Sequence, residues 1–135
     1  MRVFLDTNVL VSAFATRGLC ADVLRVVIAE HELVVGEVVL EELRKVLLEK
    51  FKVPPEHVTQ VEDLLRSYEV VPKPETMDAL QLRDKSDRWV LANARAGNVD
   101  VCVTGDADLL EVARNAGVRI ISPREFWNEL RDPAR

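Results

Sequence analysis

Short apolar runs alternate with longer amphipathic segments along this chain, and no other feature narrows its fold as much. "RVFL" (2–5), "ELVVG" (32–36), "EVVP" (69–72), "DVCVT" (100–104) and "VRIIS" (118–122) are brief and rich in Val, Ile and Leu. Their near-continuous apolar character is that of strands buried on both faces. Between them the spacing predicts helices over 7–16, 20–31, 37–51, 87–97 and 106–117, and a last one ending at about residue 130. A further helix starts at Pro54-Pro55 and keeps Val58, Val61, Leu64, Leu65 and Tyr68 in register. Gly18, Gly97 and Gly117 stand at helix ends, and Ser122-Pro123-Arg124-Glu125 reads as a capping box. Residues 73–86 are the one irregular stretch, read as a loop with a single helical turn. Strands and helices in this order predict an α/β fold: a mostly parallel sheet with helices on both faces, in one domain spanning 1–135.

The totals exclude several classes. The net charge is −5, from 23 acids against 18 bases, so a broad basic coat for nucleic acid is absent. An acidic, cation-binding nuclease site with a local basic rim remains compatible with it. Two cysteines, Cys20 and Cys102, make no disulfide framework and suit a reducing compartment. Cys102 lies in an apolar run and reads as a small buried side chain. No apolar stretch approaches the roughly 20 residues of a spanning helix, and "NVLVSAFA" follows Asp6 with only Arg2 ahead of it, unlike a signal peptide. The expectation is a cytoplasmic protein with no membrane contact. His31 and His57 have no zinc spacing and read as surface residues. A phosphate loop, a nucleophile elbow and a Cys–His or Ser–His pair are all missing from the sequence.

Acids fall where a parallel sheet places chemistry, beyond the carboxyl ends of the strands. Asp6 follows the first strand in "FLDTN", and Asp106 follows the fourth in "VTGD". Helical spacing puts Glu42 on a stripe with Val38, Val39 and Val46, and Asp87 on one with Val90, Leu91 and Ala94. An inward carboxylate is costly unless paired or bound to a metal. Each acid has an ordinary structural role open to it. Asp6 could cap the helix at Thr7, Asp106 or Asp108 the next helix, and Asp87 could belong to a capping arrangement with Asp84. Glu42 has no capping role, so its structural alternative is an ion pair with Arg83 or Arg88. No single such role covers four acids at one rim, where like charges raise one another's pKa values. A hard divalent ion, Mg²⁺ or Mn²⁺, relieves that repulsion.

"FLDTNVLVSAF", "VVLEELRKVL", "DRWVLANA" and "VTGDADLL", in this order, resemble the four acidic motifs of the PIN-domain family, and most closely its VapC-like toxin ribonucleases of prokaryotic toxin–antitoxin pairs. The resemblance covers essentially the whole chain. It implies a five-stranded sheet in the order 3-2-1-4-5 and Mg²⁺- or Mn²⁺-dependent cleavage of single-stranded RNA. It carries the four catalytic and metal-binding acids onto Asp6, Glu42, Asp87 and Asp106. The supporting amide falls on Asn8 and the supporting hydroxyl on Thr104, with Asp84 and Asp108 as extra acids nearby. Asp84 leaves two candidates for the third acid, of which Asp87 starts the inward stripe. In one departure, many members have a serine just before the second-acid helix, where this chain has Gly36.

Arg17, Lys45, Arg83, Lys85 and Arg88 are the bases nearest the rim and the candidates for RNA contact. The implied partners are the RNA, an antitoxin protein and a second copy of the chain. Apolar stripes on 20–31 and 37–51, with Phe51, Trp89 and Trp127, are the surfaces for the two protein contacts. A non-catalytic module of the same fold is the alternative function. An aspartate-nucleophile phosphatase is another, disfavoured because it wants an aspartate at the position of Asn8.

Overall fold

A computed structural model of the chain describes residues 1–76, 85–112 and 117–131, with the side chains of Lys85 and Ser86 excepted. Five strands, β1 (Arg2–Leu5), β2 (Glu32–Gly36), β3 (Glu69–Val71), β4 (Val101–Val103) and β5 (Arg119–Ile121), form one sheet in the order β3-β2-β1-β4-β5. Every neighbouring pair is parallel. The chain builds outward from β1 to β3, then crosses back to lay β4 and β5 on the other side. That reversal puts a crevice beyond the carboxyl ends of β1 and β4. Consecutive residues point to opposite faces of a sheet, yet Val3, Phe4 and Leu5 are all buried, as are Leu33, Val34 and Val35. Both faces are therefore covered, as the continuous apolar runs predict.

The covering helices are α1 (Thr7–Ala15), α2 (Leu19–Glu30), α3 (Glu37–Glu49), α4 (Pro55–Arg66), α5 (Lys85–Ala96), α6 (Ala107–Glu111) and α7 (Pro123–Arg131). Helix α1 packs on α2 and α3, α2 on α7, and α3 on α4 and α5. At the edge opposite the crevice, Arg2 joins three strands. Its guanidinium bonds Glu32 of β2 at 3.2 Å, Glu69 of β3 and the Gly97 carbonyl at 2.7 Å, and its backbone N–H donates to Asp100 at 2.7 Å.

Several boundaries differ from the sequence reading. Helix α5 begins at Lys85, so Asp87 lies inside its first turn. Helix α6 ends at Glu111, and residues 113–116 of the expected helix lie outside the described residues, as does most of the irregular 73–86 stretch. His31 is half-buried, with its Nδ1 3.3 Å from the amino terminus, not a plain surface residue. The half-capping box at α7 forms, with Glu125 N–H donating to Ser122 Oγ at 3.2 Å.

Helix α4 shows how a stripe is narrower than its spacing suggests. Val58 and Leu65 lie two turns apart and are buried, whereas Leu64, placed on the same stripe by sequence, is 43% exposed. Adjacent helical residues point about 100° apart. Tyr68 lies beyond the helix, in a turn where its N–H bonds the Leu65 carbonyl at 3.1 Å. Leu65→Ala is expected to cost about 2–5 kcal/mol and Leu64→Ala less than about 0.5 kcal/mol. Urea unfolding of the two variants measures the difference, and equal losses would refute this register.

Candidate metal centre

At the tip of β1 the apolar run ends in Asp6, whose backbone N–H still bonds the Val103 carbonyl of β4 at 3.0 Å. Asp6 is both the end of the ladder and the N-cap of α1, its Oδ1 accepting the Thr7 N–H at 2.7 Å. Its Oδ2 accepts the Thr104 hydroxyl at 2.7 Å. Leu5 pairs with Val103 across the sheet, so the next residues, Asp6 and Thr104, meet by register alone. Asp6 is only 4% exposed. Burial pushes its carboxyl up from the ordinary value; the bonds from Thr104 and Thr7 oppose that, and the charge of Asp106 adds to it.

The β4–α6 turn mirrors this arrangement. Asp106 caps α6, its Oδ1 accepting the N–H groups of Asp108 at 2.8 Å and Leu109 at 3.3 Å. Its own N–H donates to Thr104 Oγ1 at 2.9 Å, so one hydroxyl links both capping acids. Asn8 ties the two turns together from the other side. Its Oδ1 accepts the Gly105 N–H at 3.0 Å, and its Nδ2 approaches Asp6 Oδ2 at 3.4 Å. Capping therefore does not compete with convergence here: the same backbone donors that satisfy one oxygen of each acid fix where the rest of the carboxylate lies.

Asp6, Glu42, Asp87 and Asp106 line one cavity of about 350 Å³, together with Thr7, Asn8 and Phe51. Asp87 is buried in the first turn of α5. Glu42 is half-buried, on the flank of the α3 stripe, whose centre is Val39, Leu40, Leu43 and Leu47. This corrects the fully inward position expected from spacing. Asp108 joins the group more closely than its sequence reading as a nearby extra: carboxylate oxygens of Asp87, Asp106 and Asp108 lie within 4.8 Å of one another. All-oxygen donors at such spacing suit a hard divalent ion and repel one another without a cation. Thr7 also lines this cavity, though its hydroxyl is buried away from solvent and has no hydrogen-bond partner among the described residues. The donor set is thus compatible with Mg²⁺ or Mn²⁺.

The other candidates are dispersed. Lys45 lines a neighbouring groove rather than this cavity, Arg17 is exposed and borders neither, and Arg88 is half-buried on α5. Arg83, Asp84 and the Lys85 side chain lie outside the described residues. Cys102 is buried, and burial holds its thiol well above the usual range, with Asp6 adding to the effect.

Sequence reasoning missed Asn93. It is fully buried on α5, and its Oδ1 accepts the Val38 N–H at 3.1 Å, in the first turn of α3. Its Nδ2 donates to the Val71 and Pro72 carbonyls at 3.2 Å each. Gly36, the N-cap of α3, has no side chain to satisfy that turn. A Cβ there would stand 2.2 Å from Asn93 Oδ1 and 2.8 Å from the Phe4 ring. The missing serine is therefore replaced by an amide reaching across from α5. The cap that fixes the helix of Glu42 comes from the helix of Asp87. A polar residue at the seventh place of "DRWVLANA", on an otherwise apolar stripe, was the available signal.

A family model described as the PIN domain matches residues 2–108, so the chain belongs to the PIN domain family. The fold superposes on VapBC2 from Rickettsia felis bound to a DNA fragment from their promoter (17% identity, 90% of this chain and 98% of that one, TM-score 0.64). It superposes likewise on FitAB bound to the IR36 DNA fragment (18% identity, 90% and 94%, TM-score 0.67) and on VapBC-1 from nontypeable Haemophilus influenzae (19%, 92% and 99%, TM-score 0.64). At these identities the likeness is one of fold. No curated protein sequence matches the chain.

Removing Asn93 should orphan an amide and two carbonyls, so Asn93→Ala is expected to cost at least about 1–3 kcal/mol. Gly36→Ser alone should also destabilise, by collision with Asn93. In Gly36→Ser/Asn93→Ala the serine can cap α3 from within, recovering part of the loss despite the Phe4 ring. A double-mutant cycle by urea unfolding reads this directly. A neutral Gly36→Ser would contradict the close approach.

Proposed function

We propose that the chain is a metal-dependent ribonuclease that cleaves single-stranded RNA, and that it is the toxin of a toxin–antitoxin pair. The observation that carries this reading is the meeting of Asp6, Glu42, Asp87 and Asp106 in one cavity, from four separate elements. In this reading Asp6, Asp87 and Asp106 hold Mg²⁺ or Mn²⁺, with Asp108 completing the set and Asn8 and Thr104 orienting Asp6. The bound ion supplies Lewis acidity for a phosphoryl oxygen and for a water. Glu42, on a different helix, accepts a proton from the attacking water at a carboxylate oxygen. The buried position of Asp6 keeps bulk water from screening its charge.

The VapBC and FitAB complexes among the structural neighbours support an antitoxin as partner. Phe51, 45% exposed beside the acid cavity, and Leu64 are apolar groups available to a protein partner, either an antitoxin or a second copy of the chain. No helix among the described residues is long and apolar enough to cross a membrane, which is compatible with a cytoplasmic site of action.

Glu42→Gln keeps size and removes the charge. It is expected to lower Mn²⁺-dependent cleavage of a single-stranded RNA by roughly 10²- to 10⁴-fold with an unchanged circular-dichroism spectrum. Glu56→Gln, exposed in the first turn of α4, should leave cleavage intact. Full activity in Glu42→Gln would remove Glu42 from the mechanism.

Millimolar Mn²⁺ is expected to raise the melting temperature of the metal-free protein, because an ion that binds only the native state stabilises it by about 2.7 kcal/mol at 100 times its Kd. Asp106→Asn should shrink that shift. A well-folded protein with no shift would contradict the metal centre.

A further inference from the structure

A second groove of about 540 Å³ adjoins the acid cavity and shares Glu42, Val46 and Lys50 with it. Three of the chain's five lysines, Lys45, Lys50 and Lys73, line it, together with the half-buried ring of Trp89. These lysines come from three places: the middle of α3, its end, and the segment after β3. The Lys73 ammonium lies 4.5 Å from the centre of the Trp89 ring. None of the three makes an ion pair among the described residues, whereas Arg2, Arg25, Arg44, Arg66 and Arg119 are each tied to a carboxylate. Glu41 and Glu49 share the walls, one helical turn to either side of Lys45. The groove is therefore no general anion trap. It offers separate ammonium groups beside an aromatic face, the combination that holds a nucleic-acid single strand: phosphates at the cations and a base against the ring.

We propose that this groove is the binding track for the single-stranded RNA flanking the scissile phosphate, with Lys45, Lys50 and Lys73 on its phosphates and Trp89 as the stacking platform. This rests on the nuclease reading of the adjoining cavity. Lys50, which borders both spaces, marks where the strand passes from the track to the acids. A strand bound this way is held mainly through features common to all nucleotides, so the track supplies affinity and direction more than sequence choice.

The test separates binding from cleavage. A 2′-O-methyl oligonucleotide, which resists cleavage through its 2′ positions, is titrated in EDTA. The protein carries Trp127→Phe, which leaves Trp89 as its sole tryptophan. Binding should quench or shift Trp89 emission. Each of Lys45→Ala, Lys50→Ala and Lys73→Ala should weaken binding and reduce the slope of log affinity against log salt by about 0.7. Trp89→Ala, read by fluorescence anisotropy of a labelled oligonucleotide, should weaken binding between about 5- and 150-fold. Trp89→Phe should restore part of it. Lys52→Ala, which borders neither space, should change nothing. Unchanged oligonucleotide affinity in all three lysine variants overturns the track. So does tighter, equally lysine-dependent binding of poly-glutamate, which would give the groove to an acidic protein segment. Lysine-dependent RNA binding by a protein that never cleaves with Mn²⁺ would overturn the nuclease reading and leave the track standing. Metal-dependent cleavage with a KM indifferent to the three lysines would do the reverse.

Discussion

The hydrogen bond from the Thr104 hydroxyl to Asp6, across the two central strands, is the contact on which the acid cavity depends. It joins the tip of β1 to the tip of β4 at the point where the strand order reverses. A carboxylate this deeply buried is tolerable only with donors around it, and Thr104, Thr7 and Asn8 provide them. Because the Asp106 backbone N–H donates to the same threonine hydroxyl, the two acids cannot be positioned independently. A charge at the end of central strand β1 thus becomes a fixed point for the starts of α1 and α6 and for Asp106.

The second constraint is the Gly36–Asn93 contact. Strand β2 passes into α3 without a loop, so an ordinary capping side chain would sit at the junction itself. In its place, bare backbone lets α5 approach, and an amide from α5 satisfies the first turn of α3. Three structural units, the end of β3, α3 and α5, meet at one buried side chain. A self-contained cap would hold α3 alone; a borrowed cap makes the relative placement of Glu42 and Asp87 part of the same packing unit. That placement matters for chemistry, because carboxylates act together only when held within a narrow range of separations.

Charge is unevenly spent in this acidic chain. The arginines with defined partners lie in ion pairs that knit the sheet edge and the outer helices, such as Arg66 with Glu37 and Glu62. Planar guanidinium groups suit such fixed pairings. Lysines, with a compact charge on a flexible stem, instead border the groove beside the acids. A net charge of −5 therefore conceals a local cluster of lysines that make no ion pair among the described residues.

Much of this was legible in one dimension. Continuous apolar runs determined buried parallel strands, helical spacing determined the helices between them, and the order of four acidic motifs determined which carboxylates to follow. Asp6 and Asp106 were the clearest, because a residue at or within a short turn of a parallel strand's carboxyl end has little choice of place. Tertiary structure decided what periodicity resolves poorly. It moved Glu42 from the centre of its stripe to the flank, turned Leu64 outward, and brought Asp108 in with Asp87 and Asp106. It also decided the Asn93 cap and the lysine-lined groove, which join residues 55 and 28 positions apart (Val38 with Asn93, Lys45 with Lys73). Local spacing is a property of one helix or strand and can be read from the chain. Which flank faces which neighbour depends on how several elements share one volume, and only the folded molecule settles that.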